Sequence, residues 1–127
     1  MNNINNIMVC VTRQKNCERL IKYGKKISNE FDGKLFVMHV AKTGTSFLGN
    51  PDESEALEFL YQISNNAGAD MAVLRSNNII DTIIDYAKEN NISHIVLGEP
   101  PKGKSGNNII ENLENFLPNV KLKILTA

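Results

Sequence analysis

Residues 95–108 read Ile95-Val96-Leu97-Gly98-Glu99-Pro100-Pro101-Lys102-Gly103-Lys104-Ser105-Gly106-Asn107-Asn108. A short apolar strand runs into a polar loop that carries glycines, and the loop opens an amphipathic segment over 109–117. Strand, glycine loop and helix N-terminus, in that order, is how α/β proteins build anion sites, because free backbone N–H groups and the helix dipole favour a phosphate there. The stretch therefore points to a small anionic ligand, a nucleotide foremost, or to the remains of such a site. It does not point to catalysis.

The same strand-then-helix pattern extends upstream through the chain. Residues 7–11 form a short apolar run that reads as a first strand. Cys17, Leu20, Ile21, Gly24, Ile27 and Phe31 fall at helical spacing and predict a helix over about 16–31, broken by Asp32-Gly33. Residues 35–41 are apolar on both faces, as a buried parallel strand should be. The stretch 42–51, rich in Gly, Thr and Ser, is the least regular part. Asp52 with Glu55 resembles a capping box, and opens a helix with Ala56, Leu57, Leu60 and Ile63 on one face, ending near Gly68. A strand over 70–75 follows. Asn78 with Asp81 forms another cap-like pair before a helix striped by Ile79, Ile80, Ile83, Ile84 and Ala87. After the strand 93–98, Asn108 with Glu111 is expected to open the last helix, striped by Ile109, Ile110, Leu113, Phe116 and Leu117 and ended by Pro118. A fifth strand spans 120–126, with Lys121 and Lys123 alternating against Val120, Leu122 and Ile124. Five strands alternating with four helices call for an α/β fold with a mostly parallel sheet covered on both faces. One domain over 6–126 is expected, with 1–5 disordered.

Bulk composition narrows the function classes. The 127 residues carry a net charge of zero, 42% hydrophobic and 22% charged residues, and no Trp. Zero charge gives no bulk electrostatic case for nucleic acid or membrane contact, and the few aromatics argue against a base-stacking platform. No apolar run approaches the ~20 residues of a membrane span, and the N-terminus lacks a signal-peptide layout, so a cytoplasmic setting is expected. Cys10 and Cys17 belong to no Cys-x-x-Cys pair and read as packed, reduced thiols.

Three stretches resemble the universal stress protein family, most of all the version found in KdpD-type potassium sensor kinases. They are Ile7-Met-Val-Cys-Val-Thr-Arg-Gln with Cys17-Glu-Arg-Leu-Ile, Gly33-Lys-Leu-Phe-Val-Met-His-Val, and the helix and strand from Ile79 to Leu97 that contain Ile92-Ser-His-Ile-Val-Leu-Gly. The resemblance covers about 6–126. It implies an open five-stranded parallel sheet of order 3-2-1-4-5, Rossmann-like, with a ligand crevice between strands 1 and 4 where the strand order reverses. Thr12, Arg13 and Gln14 would line it after strand 1, and Val40 and Lys42 at the end of strand 2. Gly98, Gly103, Lys104, Ser105, Asn107 and Asn108 would line it after strand 4.

The resemblance further implies a non-enzymatic sensory or regulatory domain whose partners are other domains of a sensor kinase or a signalling protein. A homodimer along strand 5 also belongs to it, although Lys121 and Lys123 are residues of the kind that blunt edge pairing. Ligand binding would order 42–51 and 99–106. ATP or another adenine nucleotide is the cofactor that the resemblance brings, yet the sequence departs from the ATP-binding pattern. Thr12 stands where those members have an acidic residue. Pro101 takes the place of a second glycine, and Asn107-Asn108 that of a Gly-Ser pair. Asn tolerates left-handed geometry and can cap a helix, so it is a partial substitute, whereas proline removes a backbone donor. The motif of members that bind cyclic di-AMP is matched only by the hydroxyl of Thr12.

Other readings compete at single features. Gly98 to Ser105 satisfies the P-loop spelling Gly-x4-Gly-Lys-Ser, which would make this a small ATP-binding or hydrolysing protein, but two prolines interrupt the donor nest on which that motif depends. His39 and His94 should lie near opposite ends of their strands, too far apart for a shared metal. His39, nearer the crevice, reads first as a hydrogen-bonded, half-buried histidine. The basic first helix and the acidic second read as solvated faces. A structural interaction module with an empty crevice is the third functional reading.

Overall fold

The computed structural model describes residues 5–98 and 106–125, with the backbone alone for 106–108. Five parallel strands, β1 (Asn6–Cys10), β2 (Leu35–Ala41), β3 (Asp70–Arg75), β4 (Ile92–Gly98) and β5 (Lys121–Leu125), form one sheet of order β3-β2-β1-β4-β5. The helices are α1 (Gln14–Phe31), α2 (Glu53–Asn66), α3 (Ile79–Glu89) and α4 (Gly106–Phe116). The fold class and strand order are those expected from the sequence. Element bounds move by one or two residues, and the last helix opens at Gly106, two residues ahead of the expected cap Asn108.

Alternation along the central strands builds two cores. Ile7, Val9, Val37 and Val96 point to the face covered by α1 and α2, where they meet Cys17, Leu20, Ile21, Ala56 and Leu60. Met8, Cys10, Met38, Ile95 and Leu97 point to the other face and pack on Ile83, Ile84, Ala87, Leu113 and Leu117. Ile92 shares the second face because the β1–β4 register shifts by a bulge: Asn6 lies opposite Ile92, but Ile7 lies opposite His94. The extra residue, Ser93, donates its hydroxyl to the Asn6 carbonyl at 3.2 Å.

Stripe residues at helix ends are not all core. Phe31 is exposed, with its ring stacked on His94 at 4.8 Å. Phe116 of α4 is also exposed, as is Ile124 in the edge strand β5. After α1 the left-handed position belongs to Asp32 (φ 53°), not to the glycine beside it. Gly33 is required for a different reason: a Cβ there would lie 1.5 Å from the Asn5 carbonyl oxygen.

Two expected caps come out differently. Asp52 accepts from the Glu55 N–H at 3.1 Å, but the Asp52 N–H bonds to Asn50 Oδ1 at 3.0 Å, so the reciprocal half of the box comes from Asn50 instead of Glu55. Asn78 occupies the N-cap of α3 with no side-chain bond, and its own N–H donates to Ser76 Oγ at 3.0 Å. Asp52→Ala should therefore cost about 1 kcal/mol, read as a lower urea midpoint with an unchanged slope. Asn78→Ala should cost far less.

Candidate functional site

Strand order reverses between β1 and β4, and open α/β sheets bind ligands outside the carboxyl ends at such a point. A cavity of about 540 Å³ lies there. Its floor is made by the ends of the strands: Cys10 and Val11, Met38 and Val40, Leu97 and Gly98. One wall comes from Ile79 and Ile83 in the first turns of α3, and another from Ile109, Ile110 and Leu113 of α4. Leu20 of α1 closes the side. The polar side chains among the described lining residues are Thr12, Arg13, Asn16 and Lys42, all exposed. Among the described lining residues there is no carboxylate and no histidine.

The rim owes its character to the start of α1. Arg13 is the N-cap, with extended backbone, but no side chain caps the first turn and that turn holds no acidic residue. The Arg13 carbonyl is already taken by the Cys17 thiol at 3.1 Å and the Asn16 N–H at 3.3 Å. The positive end of the helix therefore faces the rim alongside two cationic side chains.

Of the residues singled out from the sequence, Thr12, Arg13, Val40, Lys42 and Gly98 line the cavity. Gln14 does not: its Oε1 accepts from Asn50 Nδ2 at 3.0 Å and ties α1 to the 42–50 segment. Gly103, Lys104 and Ser105 lie outside the described residues, as do 1–4. Asn107 and Asn108 fall in the first turn of α4. The sequence reading missed Asn16 and the isoleucine walls. The stripes of α3 and α4 were legible, but a stripe signals burial against something and does not say whether that something is core or cavity.

The 42–50 segment is held by protein contacts. His39 Nδ1–H donates to the Val11 carbonyl at 2.8 Å, and Nε2 accepts from the Leu48 N–H at 2.9 Å, which fixes the neutral tautomer. Burial holds the His39 pKa below its ordinary value. Phe47 and Leu48 are buried in a single 3₁₀ turn, Leu48 with left-handed backbone (φ 56°). The Arg75 guanidinium lies 3.9 Å above the Phe47 ring and pairs with Glu53. The 42–50 segment is thus anchored to Val11 and β2 by protein contacts, while most of the 99–106 stretch, which a ligand was also expected to order, lies outside the described residues.

His94 lies at the other end of the sheet, against Phe31, with its pKa lowered by burial and then by Lys121 and Lys123. The two histidines stay apart, and the described residues contain no group of three or more His, Cys, Asp or Glu placed to hold a metal. Both thiols are buried and unpaired, and burial pushes each up to about 12. They are protonated at neutral pH.

The universal stress protein family model matches residues 3–106. The chain belongs to that family. Among curated proteins, a putative sensor protein KdpD of Synechocystis sp. is 29% identical over 123 residues, which is 94% of this chain. The sensor protein KdpD of Clostridium acetobutylicum is 27% identical over 96 residues, 76% of this chain. The chain spans only 33% and 10% of the lengths of these two relatives. It is thus a universal stress protein domain similar to those of KdpD sensor proteins. Solved structures confirm the fold. The universal stress protein UspA of Lactobacillus plantarum superposes with a TM-score of 0.69 at 15% identity, covering 99% of each chain. A universal stress protein in complex with cAMP gives 0.65 at 12% identity over 99% of this chain and 98% of the other. Among the described residues no helix is long and apolar enough to cross a membrane.

Proposed function

We propose that this universal stress protein domain is a non-enzymatic, cytoplasmic sensory module that binds a small anionic ligand in the β1/β4 cavity and reports it to neighbouring domains of a KdpD-type sensor kinase. The observation that carries this reading is the cavity itself: an apolar floor at the switch point, with the exposed Arg13 and Lys42 among its lining residues and no carboxylate among those described. Two cations and an uncapped helix start favour an anion at the rim, and apolar walls favour burial of the rest of the ligand. The similarity to KdpD proteins supports the kinase setting. Occupation would act on the ends of α1, α3 and α4 together, since all three contribute walls. A second copy of the chain is a further partner, through the edge strand β5.

Adenine nucleotides are the first ligands to test, because a structurally similar family member is held in complex with cAMP. Thermal unfolding is measured with cAMP, AMP, ADP, ATP and cyclic di-AMP, each with and without Mg²⁺. A ligand at 100 times its Kd adds about 2.7 kcal/mol, a shift of roughly 10 °C for a domain of this size. The shift should shrink in Lys42→Ala and be unaffected by Lys22→Ala, whose side chain is exposed and paired with Glu18 on the outer surface of α1. Mg²⁺-dependent phosphate release lost in Lys104→Ala would replace this reading with that of a nucleotide hydrolase.

A further inference from the structure

The net charge of zero conceals a sorting of charge by element. α1 holds five cations and two carboxylates, whereas α2 holds three carboxylates and no cation. Lys15, Arg19, Lys22 and Lys26 recur at i, i+4, i+7 and i+11, which sets them in one line along α1, and all four are exposed. The line runs opposite Cys17, Leu20, Ile21, Gly24 and Ile27, which are buried. Its one printed ion pair lies within the helix, from Lys22 to Glu18 at 3.3 Å, with both side chains largely exposed. On α2 the carboxylates are confined to the first two turns. Glu53 is paired with Arg75, while Glu55 and Glu58 are exposed, three residues apart on the side away from the buried Ala56 and Leu60. The two helices cover the same face of the sheet and pack side by side. Each returns from the end of one parallel strand to the start of the next, so both run in the same direction and both begin at the carboxyl edge.

We propose that the outer face of α1 and α2 is a self-association surface, and that its partner is a second copy of this chain with α1 of each copy laid over α2 of the other. A basic helix beside a parallel acidic one is complementary to itself under one two-fold axis, the axis that runs along the helices above the seam between them. That rotation keeps the helix direction, so the two N-terminal halves meet, and Lys15 and Lys22 of one copy face Glu55 and Glu58 of the other, twice over. A two-fold axis across the helices would instead set like charge on like. A flat anionic surface such as a lipid bilayer fits less well, because it would meet the carboxylates of α2 together with the lysines of α1. α1 is 18 residues long, about 27 Å, and two helix widths make a face of roughly 500 Å² per copy, or about 1,000 Å² in the dimer, the lower bound for a specific interface. The proposal rests neither on the edge strand β5 nor on the β1/β4 cavity.

The test is sedimentation velocity of the intact chain over a series of concentrations, at about 20 mM and about 500 mM NaCl, between which the Debye length falls from roughly 20 Å to roughly 4 Å. The expected result is a concentration-dependent dimer at low salt whose Kd rises about tenfold or more at high salt. Lys15→Glu/Lys22→Glu makes both helices acidic and Glu55→Lys/Glu58→Lys makes both basic, so each variant alone should be monomeric. Mixed one to one, the two should form a heterodimer, because both contacts are then restored with the signs exchanged. All four positions are exposed. Should either reversal fail to unfold cooperatively, Lys15→Gln/Lys22→Gln and Glu55→Gln/Glu58→Gln take their place, each expected to raise the Kd about tenfold or more. A parent chain that stays monomeric at low salt up to about 1 mM overturns the proposal. A dimer that survives both charge changes, as pairing along β5 would, overturns it as well, and so does a mixture of the two reversed variants that remains monomeric.

Discussion

Gly24→Ala should destabilise this protein by about 2 kcal/mol, although glycine to alanine inside a helix normally stabilises by ~1 kcal/mol. Gly24 is in the middle of α1, on the side that lies against the sheet. An added Cβ would stand 2.3 Å from Val9 Cγ2 and 3.1 Å from Leu35 Cδ1. Val9 is fully buried in the central strand, and its β-branched side chain has little rotamer freedom. The helix must therefore lift or the strand must shift, and overpacking of this kind costs typically ~1–3 kcal/mol, occasionally more. The net loss should lower the unfolding temperature by roughly 6–8 °C for a domain of this size. Val9→Ala removes the clashing methyl, so the double variant should be more stable than the sum of the two single changes by about 1–2 kcal/mol. A Gly24→Ala protein more stable than the parent would show that α1 does not approach β1 this closely.

His39→Leu should cost about 2–4 kcal/mol, because it strands two buried backbone groups, the Val11 carbonyl and the Leu48 N–H. The loss would fall on one region. With the Leu48 bond gone, nothing offsets its left-handed backbone, and amide exchange should rise through 42–50 before it rises elsewhere. The same histidine sets a pH dependence. Burial lowers its folded pKa below the unfolded value of 6.5. Between those two pKa values the unfolded chain binds more protons than the native one, so stability falls as pH falls. The contribution is fully present above about pH 6.5 and is lost progressively on acidification until the folded pKa is passed. His94, lowered by burial and by Lys121 and Lys123, acts in the same direction. Urea unfolding from pH 8 down to 5 should show this decline, and His39→Leu should flatten it in part, with the His94 share remaining. A parent protein equally stable at pH 8 and pH 5 would refute the assignment.

Both predictions rest on features at the margin of what the sequence discloses. The alternation of strands and helices was legible because each apolar run has its own period and each break its own residue, such as Gly68 after α2 and Pro118 after α4. Strand order came from the family resemblance, since period alone says which residues are buried but not which strand neighbours which. Three kinds of feature escaped. Competing local bonds were one: Asn50 and Ser76, neither in the expected caps, satisfy the N–H groups of Asp52 and Asn78. Long-range anchoring was another, as in the 42–50 segment, whose polar composition suggested an irregular loop while one histidine and two buried apolar residues hold it. The third was the cavity wall. Ile79, Ile83, Ile109, Ile110 and Leu113 follow the same spacing as core residues, and only the geometry at the strand ends separates the two uses. The rim residues Thr12, Arg13 and Lys42 were legible, because they follow directly on β1 and β2 at the reversal point.

The place of β1 in the sheet also governs how the chain is made. It is synthesised first, yet its two neighbours in the finished sheet are β2 and β4, and β4 does not begin until Ile92. Until β4 emerges, β3, β2 and β1 can assemble into three strands of the sheet whose outer edge is the segment carrying Ile7, Met8 and Val9, all destined for full burial. An unpaired apolar strand edge is a template for other chains. At translation speeds of about 5–20 residues per second, that edge stays open for seconds on every ribosome. The arrangement that puts the β1/β4 cavity at the centre of the sheet therefore leaves the nascent domain dependent on β4 for protection from its neighbours.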